Sequence, residues 1–134
     1  MVTDTSIDSR TARLGVNMVV FEDYSKAAIT VATQKREWIV PFNGHIVDVI
    51  CDSEGVGGNN SQADIIDVNL NGTTIYTTQG NRPSLPQNNT GLFAEAGEPN
   101  ITALRVGDTL SYDVDQVDAT GSNRFKISII CQTL

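Results

Sequence analysis

The chain has 134 residues, sixteen acidic and nine basic side chains, a formal net charge of −7 and 40% apolar residues. That is the size of one domain, with a single core that hides about two-thirds of the unfolded surface, and it leaves no room for a two-domain cofactor enzyme. Too little positive charge is present to neutralise phosphates or anionic lipid, and no stretch nears the ~20 consecutive apolar residues of a membrane span, so neither nucleic acid nor membrane is an expected partner.

Residues 1–14 are polar and turn-prone, with Arg10 and Arg13 the only positive charges before Lys26. They lack the apolar stretch of a secretory signal, which predicts a protein used without export or already processed. The segment reads as a loose end or as an extended arm that orders on a partner. The expected layout is an N-terminal arm over 1–14 and one folded domain over 15–134.

From residue 15 onwards polar and apolar residues alternate with period two, and no helical spacing persists. The runs predict strands at Gly15–Glu22, Ala27–Thr33, Arg36–Phe42, His45–Asp52, Ala63–Leu70, Thr73–Thr78, Gly91–Ala96, Ile101–Arg105, Thr109–Val117 and Arg124–Gln132. The fold class is therefore all-β: eight to ten short strands, enough for a sandwich of two sheets. Asn71-Gly72 between β-rich flanks predicts a two-residue hairpin with positive φ at both positions. Pro83 and Pro86 keep the stretch from Gln79 to Asn89 out of a sheet interior, because proline has no amide donor.

Alternation also assigns faces. Val47, Val49 and Cys51 fall opposite Asp48 and Asp52, and Phe125, Ile127, Ile129 and Cys131 fall opposite Lys126 and Ser128. Both apolar sets are expected in one core. Asp113 and Asp115 share a face that reads as solvated. Cys51 and Cys131 read as buried thiols, with a disulfide between them left open.

Chemistry-bearing patterns are few. Asp67-x-Asn69-x-Asn71-Gly72 matches the opening of a calcium loop, but Thr78 stands where the bidentate glutamate belongs, so no metal is assigned. His45 is the only histidine and follows a turn, and no serine or cysteine lies in a nucleophile motif. No catalytic residue and no cofactor is expected, and the chain is read as a non-enzyme. Trp38 and Tyr76 are the candidate stacking residues of an alternative carbohydrate-binding or receptor-binding module.

Three phrases carry a family resemblance. Trp38-Ile39-Val40-Pro41-Phe42-Asn43-Gly44-His45-Ile46-Val47, the run from Ile66 to Tyr76 around Asn71-Gly72, and the run from Leu104 to Val117 with Gly107-Asp108 occur in that order. Together they resemble a jelly-roll domain of tailed-bacteriophage virion proteins, over about 95 residues. The resemblance implies a jelly-roll-like antiparallel β-sandwich. It also implies a capsid decoration (cement) protein, made in the host cytoplasm and carried on the virion surface, that joins neighbouring capsomers. The implied partners are the major capsid protein and further copies of the chain, as a homotrimer. A phage tail or head-fibre module that binds a receptor or carbohydrate is the alternative. Arg10, Arg13 and Leu14 are the expected capsid-contacting residues of the arm.

Overall fold

A computed structural model describes residues 15–23, 30–33, 36–56, 63–85, 92–117 and 122–134. Ten strands occur among them: β1 (Val16–Asp23), β2 (Glu37–Ile39), β3 (Gly44–Val56), β4 (Asp64–Leu70), β5 (Thr73–Thr74), β6 (Ser84–Leu85), β7 (Leu92–Glu95), β8 (Ala103–Leu104), β9 (Thr109–Gln116) and β10 (Ser122–Thr133). A single 3-10 turn at Gln79–Asn81 is the only helical element among the described residues. The all-β expectation therefore holds.

Sheet I runs β2-β9-β4-β5, with β6 also on β4; sheet II runs β1-β10-β3-β7, with β8 also on β3. All of these pairings are antiparallel. They nest: β1 pairs with β10, β2 with β9, β3 with β7 and β8, and β4 with β5 and β6. An antiparallel ribbon folded at one tip and rolled so that successive pairs fall in alternate sheets has this order, which is the jelly-roll arrangement.

The tip is the predicted hairpin. Asn71 and Gly72 have φ of 52° and 83°, the left-handed values that a type I′ turn requires and that Asn and Gly tolerate best. Between the sheets lie Val19, Phe21, Val49 and Cys51 with Ile127, Ile129 and Cys131 from sheet II, and Ile66, Val68, Leu110, Tyr112 and Val114 from sheet I. The rings of Phe21 and Tyr112 meet across the layers at 5.3 Å between centroids, within the range of favourable tilted aromatic pairs.

Several expectations need correction. Val47 is 53% exposed, whereas Ile46 and Val49 are buried. Ile130 stands opposite Asp48, but Cys131 stands opposite Ile46, so β3 carries one extra residue there. Such a bulge resets the alternation and leaves Val47 and Asp48 both outside. Both thiols are free and buried. Cys51 faces Ile127 and Cys131 faces Ile46 on the neighbouring strand, about 13 Å apart along the ladder and far beyond disulfide reach. Burial, with lesser contributions from Asp52 and Asp64, pushes the Cys51 thiol well up, and burial alone lifts Cys131 to about 11. Ser53, one residue beyond the strand expected at His45–Asp52, is buried inside β3, which continues to Val56. Of the strand expected at Ala27–Thr33, the described part contributes one bridge, Ala32 with Val114.

One lateral side of the sandwich is stitched by backbone. Amides of Asn100 and Ile101 both donate to the carbonyl of Ile75, that of Gly97 to Asn81, and that of Ala96 to Val49. Thr78 N–H donates to Asn100 Oδ1, and Asn81 Nδ2 to the Glu98 carbonyl. All of these bonds except that of Ala96, which stays within sheet II, tie the β5–β6 connection of sheet I to the β7–β8 connection of sheet II.

Candidate functional site

One end of the sandwich gathers all three phrases of the resemblance. Asn43 from the first accepts the Val106 amide at Oδ1, 3.1 Å, and its carbonyl accepts the amide of Leu134, 2.9 Å. Asn71 from the second donates to Asp108 Oδ1, 3.1 Å, and accepts the Thr109 amide, 2.9 Å. Asp108 from the third accepts the Arg105 amide, 2.8 Å. Gly107, at φ +94°, donates to the carbonyl of Val40, whose amide donates to Asp108. Asn71 and the Arg105 amide together hold the Asp108 carboxyl below the usual carboxylate range, because both bonds favour its charged form.

On this fixed frame stand apolar side chains in the open. Val106 is 62% exposed, Ile39 58% and Leu134 79%. Val106 and Leu134 are both bonded through Asn43, and Ile39 precedes Val40, which bonds Gly107 and Asp108. Loops held by side-chain-to-backbone bonds with apolar tips lose little freedom on docking, which suits them to protein contact. Sequence reasoning missed these three residues: Val106 lies in a turn and Leu134 follows the last strand, where alternation assigns no face, and Ile39 lies within the expected strand Arg36–Phe42 with no motif to single it out.

The outward rows of sheet I are polar yet shielded. Asp67 and Asn69 on β4 and Ser111 on β9 are buried, and they alternate with the core residues Ile66, Val68, Leu110 and Tyr112. Asp67 Oδ1 accepts from Thr74 Oγ1 at 2.7 Å and from the Val68 amide at 2.8 Å. Burial still lifts its pKa above the ordinary value, with Asp115 adding to the rise and Thr74 opposing it. Arg82 bridges to Asp115 across this face and donates through Nε to the Gln79 carbonyl. Of the residues that imitate a calcium loop, Asp67 is thus engaged with Thr74 in the hairpin and Asn71 with Asp108 and Thr109, and among the described residues no cluster of His, Cys, Asp or Glu is arranged to hold a metal ion.

Of the candidate site residues, Arg10, Arg13 and Leu14 lie outside the described residues. Trp38 on β2 is half-buried, with its ring 6.1 Å from Phe42. Tyr76 is wholly buried; its ring has no face to offer a sugar, which corrects the stacking assignment. The cause is the abrupt end of β5 at Thr74, after which the chain turns under the β7–β8 connection. The Tyr76 hydroxyl is the one buried side-chain polar atom without a partner among the described residues, and burial holds it above the usual phenol range. His45, just after the turn as expected, is the second residue of β3 and pairs with Gln132 on β10 and Ala103 on β8.

Among the described residues no pocket opens at the surface. No protein-family model matches the chain, and no curated protein matches it.

Proposed function

We propose that this chain is a structural protein of a bacteriophage virion, a capsid decoration (cement) protein that binds the outer face of the head and stabilises contacts between capsomers. The observation that carries the reading is the convergence of the three resemblance phrases on one end, where Asn43, Asn71 and Asp108 fix the loops that present Val106, Ile39 and Leu134. A rigid body with one apolar, pre-formed end suits attachment to a protein lattice. The arm, through Arg10, Arg13 and Leu14, supplies a second attachment on the same shell. Several weak attachments per assembly multiply through effective concentration, so no single joint needs to be strong.

The test is co-sedimentation with undecorated shells of the phage that encodes the chain. Wild type pellets with the shells, Val106→Asp reduces occupancy roughly tenfold, and deletion of residues 1–13 reduces it comparably. Wild-type protein that stays in the supernatant sinks the reading. The sugar-binding alternative loses half of its stacking pair with Tyr76 buried.

A further inference from the structure

We propose that β1 is a self-association edge, through which two copies pair antiparallel about a two-fold axis at Val19 and join their sheets II into one continuous sheet. The four sheet edges differ in kind. Sheet I ends on one side in the three-residue β2 and on the other in the two-residue β5 and β6. The far edge of sheet II is split between four-residue β7 and two-residue β8, and those pieces belong to the stitched side described above. Short, interrupted edges are poor templates for another strand. By contrast β1 runs unbroken for eight residues without proline or lysine, and among the described residues only β10 pairs with it.

The hydrogen-bond parity of β1 can be derived. Thr133 N–H donates to the Gly15 carbonyl at 3.0 Å, and these two residues continue the register in which Val16 faces Gln132. In an antiparallel ladder bonded residues alternate with unbonded ones. Odd-numbered residues of β1 therefore bond to β10, and Val16, Met18, Val20 and Glu22 turn their N–H and C=O groups to the far side.

A second copy meets all four of those residues in one register. With the axis at Val19, Val16 falls opposite the partner's Glu22 and Met18 opposite the partner's Val20, so each of the four both donates and accepts. The antiparallel sense also sets the acidic end, Glu22 and Asp23, against the uncharged end, Gly15 to Asn17, and like charges do not meet. Val16, already 72% exposed, gains a neighbour across the seam. Isologous pairing of this kind closes on itself and adds no further copies. The assembly is a dimer, not the trimer that the family resemblance implies, and it forms without capsid binding.

The test is sedimentation velocity of the full chain from about 1 to 100 μM, a span that brackets a modest interface. Wild type is expected to reach twice the 14.4 kDa chain mass. Val20→Pro removes a donor that faces outward and breaks no bond to β10, because proline is tolerated at such edge positions. It is expected to return the mass to that of the monomer while the far-ultraviolet β signature stays unchanged. Met18→Lys serves as a second disruptor that leaves the backbone intact, and it is expected to weaken association at least tenfold. A wild-type chain that is monomeric or trimeric throughout overturns the proposal, and so does a dimer that Met18→Lys leaves intact.

Discussion

On the outside of sheet I, Asp67, Asn69 and Ser111 are polar and buried; on the outside of sheet II, Val16 and Val47 are apolar and exposed. Inside, the two sheets share one apolar core. The outer face of sheet I spends its polar groups on internal bonds, such as Thr74 to Asp67 and Arg82 to Asp115. Among the described residues the outer face of sheet II carries one ion pair, Lys126 with Asp52 at 3.5 Å, beside half-buried Ile50 and Ile130. A buried polar group is costly to disturb because its desolvation is already complete, whereas an exposed apolar one has little folding energy to lose. Substitutions on the first face are therefore expected to act on stability, and those on the second on association.

The largest effect belongs to neither outer face and sets the scale for both. A Cβ added at Gly44 would lie 2.1 Å from the Gln132 carbonyl oxygen. Gly44→Ala must push β3 and β10 apart and should cost roughly 3 kcal/mol or more in urea unfolding. Next, Asn71→Ala removes the bonds to Asp108 and Thr109 and places alanine at positive φ. A loss of about 2 kcal/mol is expected, and a loss no larger than that of an ordinary surface change would show that the loop frame is not held as described.

Asp67→Asn sharpens the comparison with a change of opposite sign. The folded pKa of Asp67 lies above its 3.8 reference, so the native state holds this proton more readily than the unfolded chain, and the carboxyl's contribution to stability falls as pH rises through that interval. Asparagine keeps an oxygen for Thr74 and Val68 and carries no charge to desolvate. The variant should melt about 2 to 5 °C above wild type at pH 7, with the gap narrowing as pH is lowered toward about 4. A gap that widens on acidification would reverse the assignment. The smallest expected effect is Val47→Thr on sheet II, within about 0.5 kcal/mol of wild type in the same unfolding assay. A larger loss would show that Val47 packs against something.

How far the sequence carried these conclusions differs by residue. Asn71-Gly72 declared its turn because two adjacent residues tolerant of positive φ have few other uses between strands. Ile127, Ile129 and Cys131 declared their face because β10 is long and regular through them. Val47 misled because a bulge is a property of two strands in register, and one strand's alternation contains no sign of it. Tyr76 misled for a related reason: the residue that ends β5 is set by what the following segment bonds to, and its partners Asn100 and Ile101 are distant in sequence. The loop frame joins Asn43, Asn71 and Asp108 across 65 positions, from 43 to 108, so it was visible only as three separate phrases.

Pairing the first described strand with the last has a consequence for synthesis. β10 lies at the centre of sheet II, between β1 and β3, and Gly15 bonds to Thr133. On the ribosome β1 therefore waits, without its neighbour, until residues 122–133 have emerged. Closure of such distant pairs is slow, on the order of milliseconds to seconds, and a nascent chain from which β10 has not yet emerged lacks the central strand of that layer. Newly made copies at high concentration thus pass through an interval in which β1 exposes both of its sides, and the rate at which β10 arrives decides how many are lost to mispairing.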